Sequence, residues 1–136
     1  MNSVKIFPSP MGEDARRTDE GQFWCGCDRT LLLLDLDGVL NTYDGNYDKD
    51  YIPPIKDGAN EFIKDLSKDY NIKIFTSRNL LLTAKWLIEY NLFDYIDDVT
   101  NNKSASFLII DDRCITYNGD FSDIKRKIEN FKVWYK

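Results

Sequence analysis

Four consecutive leucines, Leu31 to Leu34, stand between Thr30 and Asp35, and no longer uninterrupted apolar run occurs in the chain. An apolar run of that size with no alternation reads as a central β-strand covered on both faces. A strand is therefore expected over 30–36. The run is well short of the ~18 apolar residues of a membrane span.

Downstream of the leucines the apolar pattern stays regular. Over 55–70, Ala59, Phe62, Ile63 and Leu66 recur at three- and four-residue steps between Lys and Asp, which predicts an amphipathic helix. Residues 71–76 (NIKIFT) read as a second strand and 80–90 as a second helix, with Asn91 as its stop. Residues 95–99 form a possible short third strand. Residues 106–110 (SFLII) form a fourth, and a last helix capped by Asp120 or Ser122 runs to about Phe131. Between the first strand and the first helix, residues 37–54 hold Gly38, Gly45, Pro53, Pro54 and three tyrosines, Tyr43, Tyr47 and Tyr51, a loop or short hairpin. Strands alternating with helices argue for an α/β fold with a mostly parallel central sheet. Residues 1–29, with Pro8, Pro10, Gly12, Gly21 and Gly26 and no sustained period, read as an irregular N-terminal extension, in which Phe23 and Trp24 are candidates to pack back onto the domain. At 136 residues the chain is long enough for one core, and that single domain is expected over 30–136.

Composition narrows the chemistry. The sequence contains no histidine, which removes imidazole bases, Ser-His-Asp triads and His-ligated zinc or iron. A net charge of −5 argues against wrapping nucleic acid by bulk charge while leaving room for a local basic patch. Three cysteines, Cys25, Cys27 and Cys114, make neither a secreted disulfide framework nor an ordinary four-ligand zinc site. They read as idle thiols in a reducing, cytoplasmic compartment, with a redox pair at Cys25 and Cys27 as the alternative.

In parallel sheets, ligands bind at the carboxyl ends of the strands, near a topological switch point. There the sequence places Asp35-Leu36-Asp37-Gly38-Val39-Leu40-Asn41 after the first strand, Thr76-Ser77-Arg78-Asn79 after the second, and Asp111-Asp112-Arg113 after the fourth, with Lys103 before it. Taken singly, an Asp pair is a turn former or helix cap, a Thr-Ser is an N-cap and a Lys is solvated. Together they bring four acids, a hydroxyl and a cation to one sheet edge, and such crowding costs stability unless a cation or substrate compensates. Oxygen ligands without His or thiolate suit Mg²⁺ beside a phosphate. One carboxylate can act as nucleophile, a second can protonate the leaving oxygen and then activate water, and a Lys and a hydroxyl can hold the phosphoryl oxygens.

The set DLDGVLN (35–41), FTSRN (75–79), Lys103 and IIDD (109–112) resembles, in order, spacing and strand placement, the four motifs of the haloacid dehalogenase (HAD) superfamily of phosphohydrolases. The resemblance covers about 30–136. It implies a Rossmann-like three-layer sandwich. It also implies that Asp35 is the nucleophile and a Mg²⁺ ligand, and that Asp37 is the general acid/base with its backbone carbonyl on the metal. Thr76 would bind the phosphoryl group, with Ser77 the neighbouring alternative. Lys103 would neutralise nucleophile and phosphate, with Lys85 a weaker substitute, and Asp111 and Asp112 would serve the metal. Gly38 would permit the tight backbone after the nucleophile. Asn41 is either a site-loop residue or a structural cap, and Arg78 and Arg113 either touch substrate or are solvated or ion-paired surface arginines.

Specificity in that superfamily comes largely from inserted cap modules. The intervals 38–54 and 80–102 are too short for one, so no folded cap is expected. The site would then be open, covered at most by the N-terminal arm or by a second subunit of a homo-oligomer. It would accept a phosphorylated small molecule or a nucleic-acid end, on whose bases or sugars Tyr43, Tyr47 and Tyr51 could stack unless they merely pack the loop. The expected activity is Mg²⁺-dependent hydrolysis of a phosphomonoester through an aspartyl-phosphate. The alternatives are a catalytically weak or inactive binding or regulatory module and a phosphotransferase.

Overall fold

The computed structural model describes residues 29–136. The expectations for the N-terminal extension, including Phe23, Trp24, Cys25 and Cys27, lie outside them. The fold is α/β, a four-stranded all-parallel sheet with three helices, compatible with a Rossmann-like arrangement.

Strand β1 (Thr30–Leu34) lies between β2 (Tyr70–Phe75) and β4 (Leu108–Ile110), and β3 (Asp98–Thr100) extends the sheet beyond β2. The leucine run is uninterrupted because β1 is paired on both edges and buried on both faces: Leu33 and Leu34 are both 0% exposed. Leu32 and Leu34 lie in register with Ile72 and Ile74, Ile74 with Val99, and Leu34 with Ile110. That face packs against Ala59 and Ile63 of α1 (Ala59–Leu66), and Trp86 and Leu87 of α2 (Leu80–Glu89), together with Leu92 and Ile96. Each fully buried Leu, Ile or Val there contributes about 1.5–3 kcal/mol relative to exposure.

Local signals set the element ends. Asn79 caps α2, its side chain accepting from the Leu82 amide at 2.9 Å. Asn91 ends the helix at φ 59°: its amide bonds to the Ile88 carbonyl and the Leu92 amide to the Leu87 carbonyl at 2.8 Å, a Schellman closure. Helix α1 is shorter than the expected 55–70. Ile55 instead bridges Asn41, the Lys56 amide bonds to the Leu40 carbonyl, and Gly58 at φ 88° holds the N-cap position. At its far end, residues 67–69 turn so that Tyr70 can enter β2 opposite Thr30. The third strand is displaced from 95–99 because Phe93–Tyr95 forms a 3₁₀ turn.

Helix α3 (Phe121–Glu129), capped by Asp120, buries none of its residues, and Phe121 is 81% exposed. The expected third packed layer is therefore not built by α3. The connection from β1 to α1 carries two isolated bridges, Asn41 to Ile55 and Asp48 to Tyr51, and no strand or helix, as expected of a chain without a folded cap. No helix among the described residues is long and apolar enough to cross a membrane.

The strand order β3-β2-β1-β4 puts the switch point between β1 and β4. The chain steps from β1 to β2 to β3 in one direction, then returns to the far side of β1. A crevice opens at the carboxyl ends of those two strands.

Candidate active site

Asp35 is the first residue past β1, its amide bonded to the Ile110 carbonyl at 2.8 Å, and Asp111 and Asp112 come directly after β4. Because Leu34 and Ile110 are paired in a parallel register, the acids that succeed them emerge side by side. Asp35, Asp111 and Asp112 each offer a carboxylate oxygen within 4.8 Å of the others. All three are half-buried. Burial, then the Asp111 charge, then the neighbouring Asp112 carboxyl push the Asp35 carboxyl up to about 8. Asp112 is also raised, chiefly by burial. Its Oδ2 is buried without a hydrogen-bond partner. Three crowded carboxylates with an orphaned buried oxygen among them could hold a cation. Oxygen-only donors fit a hard divalent ion rather than zinc or copper.

Asp37 does not join this cluster by its side chain. Its carboxylate accepts from Arg78 Nε at 2.8 and 2.9 Å and from Asn41 Nδ2 at 3.0 Å. Arg78 is not a substrate-facing residue here. Its side chain is 0% exposed, its Nη1 donates to the Asp48 and Tyr51 carbonyls at 2.8 and 3.0 Å, and its guanidinium lies 4.7 Å from the Tyr47 ring centroid. It ties the loop after β1 to the end of β2 and fixes Asp37 in place. Asn41 is likewise fully buried and resolves toward the structural role. Its Oδ1 accepts from the Gly38 and Tyr43 amides at 3.1 and 3.0 Å while its amide holds Asp37. Gly38 has φ +81°, and a Cβ there would lie 2.2 Å from Asp112 Oδ2. Its role is to let the carboxylate approach the loop backbone.

The opening beside the carboxylates is a cavity of about 540 Å³ lined by Asp35, Phe75, Thr76, Ser77, Asn101, Asn102 and Asp111. Thr76 is buried, its hydroxyl accepting from the Arg78 amide at 3.1 Å, whereas Ser77 is exposed at the rim. Asp35, Thr76, Ser77 and Asp111 therefore converge on one cavity. Lys103 is exposed and does not line the cavity, although its charge reaches Cys114 along with those of Asp35, Asp111 and Asp112. Lys85 is farther removed, lining a separate hollow with Tyr51 and Trp86. Cys114 is an exposed free thiol.

Two contributions were missed from sequence. Asn101 and Asn102 line the cavity because β3 ends at Thr100, whose hydroxyl accepts from the Asn102 amide at 3.0 Å. The C-terminal segment 131–136 folds back onto the site loop. Trp134 Nε1 donates to the Gly38 carbonyl at 2.7 Å, and Lys56 Nζ stands 4.0 Å from the Trp134 ring centroid. Tyr135 packs edge-on against Tyr43 at 6.1 Å and its hydroxyl accepts from Arg113 Nη2 at 3.3 Å. The aromatic-rich end FKVWY was the available signal.

Comparison of the chain with protein-family models, characterised proteins and solved structures finds no match.

Proposed function

We propose that the protein is a Mg²⁺-dependent phosphomonoester hydrolase of the HAD type, acting through an aspartyl-phosphate on Asp35. The observation that supports this most is the meeting of Asp35, Asp111 and Asp112, with the orphaned Asp112 oxygen, beside an open cavity at the β1/β4 switch point. Asp37, two residues beyond the nucleophile, is held by Arg78 and Asn41 in a fixed orientation.

Asp35 would attack the phosphorus through a carboxylate oxygen while the bond to the leaving oxygen breaks; that oxygen would take a proton carried by Asp37, which must first have taken it up from solvent on an oxygen released from Arg78. Water would then attack the phosphorus of the acyl phosphate. Its proton passes to Asp37, the phosphorus–Asp35 bond breaks, and inorganic phosphate and the free carboxylate result. A bound Mg²⁺ would neutralise charge on the carboxylates and phosphoryl oxygens, and Asp35, Asp111 and Asp112 would hold it, with the Asp37 carbonyl as a further ligand. The Thr76 hydroxyl, with Ser77 at the rim, would hydrogen-bond the phosphoryl group.

The position of Lys103 favours a second reading, a HAD-fold binding or regulatory module with weak turnover, because the cation expected to steady the phosphate is exposed and does not line the cavity. Phosphate release from p-nitrophenyl phosphate and from a panel of phosphorylated metabolites and oligonucleotides, with Mg²⁺ and with EDTA, decides between them. Metal-dependent release abolished by Asp35→Asn supports the enzyme. Absence of release across the panel, with Mg²⁺ still raising the melting temperature, supports the module.

A further inference from the structure

Beside the carboxylate site lies a second hollow of about 480 Å³, lined by Arg113, Phe131, Lys132, Val133 and Lys136. Its lining holds three cations and no acid, in a chain whose net charge is −5. Arg113 links the two sites. Arg113 comes directly after Asp112, its amide bonds to Asp111 Oδ1 at 2.9 Å, and its guanidinium donates to the Tyr135 hydroxyl. The Tyr135 ring and Asp112 Oδ2 both crowd the same point above Gly38, at 3.2 and 2.2 Å from where a Cβ would stand. Of the lining residues Phe131 is aromatic and 38% exposed, and Trp134, next to the lining residue Val133 in the chain, is 57% exposed with Lys56 against its ring.

We propose that this cleft of the C-terminal segment binds the backbone of a single-stranded nucleic acid whose terminal phosphate enters the carboxylate site. This deepens the phosphohydrolase reading and rests on it for the fate of that phosphate. A small phosphomonoester needs only the carboxylate site. A strand also needs cations that track successive phosphates and rings on which bases stack, and the cleft offers both. Contacts between these cations and successive phosphates release counterions, so binding is salt-dependent. The cleft offers no ordered set of base-edge partners, so the binding tolerates any sequence.

Binding is read by fluorescence anisotropy on the full chain carrying Asp35→Asn, with a labelled, terminally phosphorylated oligothymidylate in low salt. The readout needs no turnover, so a failure of hydrolysis leaves it intact. The added triple change Arg113→Ala, Lys132→Ala and Lys136→Ala is expected to weaken binding about tenfold or more and to lower the log–log salt slope by about 2. Because Arg113 also touches Tyr135, the pair Lys132→Ala and Lys136→Ala is measured alongside, with an unchanged melting temperature and a smaller loss of the same sign. No binding before the change, or equal binding after it, overturns the proposal. So does inorganic polyphosphate of matched charge displacing the oligonucleotide at equal concentration, because polyphosphate has no bases to stack.

Discussion

Gly38 and Asp112 are packed so closely that a single added carbon on the glycine would stand 2.2 Å from the carboxylate oxygen. The residue next after Asp37 is therefore also the residue that sets how near the carboxylates following β4 come to this loop. Gly38→Ala carries two costs: about 1–2 kcal/mol for a side chain at φ +81°, and displacement of Asp112 from the triad. The expected outcome is a lower melting temperature together with weaker Mg²⁺ binding by isothermal titration calorimetry. A variant that binds Mg²⁺ as tightly as the parent would show that Asp112 does not need its present position.

Burial of Asp35, with the crowding of Asp111 and Asp112 added to it, predicts a specific pH dependence for the metal-free protein. Asp35 has its folded-state value at about 8, above the ordinary 3.8, so the folded state holds that proton more tightly than the unfolded chain. The associated stability is fully present below about pH 4 and is lost as pH rises through 8. In EDTA, the melting temperature should decline from pH 5 to pH 8, and Asp35→Asn should flatten that decline and raise the melting temperature at pH 8. Mg²⁺ should restore the parent protein at pH 8 but do little for the variant. A parent melting temperature that rises between pH 5 and 8, or a variant less stable than the parent at pH 8, would contradict the crowding.

Arg78 bridges Asp37 and two carbonyls of the loop with its side chain wholly out of solvent. Arg78→Ala leaves Asp37 with Asn41 as its remaining donor, the Asp48 carbonyl with the Tyr51 amide alone, and the Tyr51 carbonyl without its Arg78 donor, and removing one partner of a buried pair costs about 3–5 kcal/mol. Arg78→Lys keeps the charge but cannot reproduce the fork that reaches both. Chemical denaturation should place alanine lowest and lysine between. Phosphate release should fall in kcat more than KM changes for lysine, since the acid is misplaced and the phosphate site is not. A lysine variant with parental kcat would remove Arg78 from the positioning of Asp37.

These relationships separate what was readable in the sequence from what was not. The leucine run and α2 were legible because their signals are local: a strand paired on both edges needs unbroken apolar residues, and Asn79 and Asn91 mark a helix by their own chemistry. The acids at the ends of β1 and β4 were legible because parallel register brings the residues after paired positions together. The start of α1 was not, since an amphipathic period continues through 55–58 whether or not that stretch is used to pair with the loop. Arg78 could not be told from a surface arginine, because its burial depends on Tyr47, Asp48 and Tyr51 folding over it. The C-terminal contact was beyond any periodicity: Trp134 and Gly38 are 96 residues apart and meet through one hydrogen bond.

That bond supplies the last test. Trp134 Nε1 donates at 2.7 Å to the carbonyl of Gly38, the residue between the site loop and Asp112. Trp134→Phe keeps an aromatic face for Lys56, which now stands 4.0 Å from the ring centroid, and removes only the donor and part of the ring. A net hydrogen bond is worth about 0.5–1.5 kcal/mol, so denaturant titration should show a loss of that size. Tethering matters more to the site than to stability. The tail also supplies Tyr135, which packs on Tyr43 and receives Arg113. Once released, the segment should become more susceptible to carboxypeptidase, and Mg²⁺ affinity should fall because Gly38 is less firmly placed against Asp112. Parental resistance to carboxypeptidase in the phenylalanine variant would mean that ring packing, rather than the Gly38 bond, pins the C-terminus to the site.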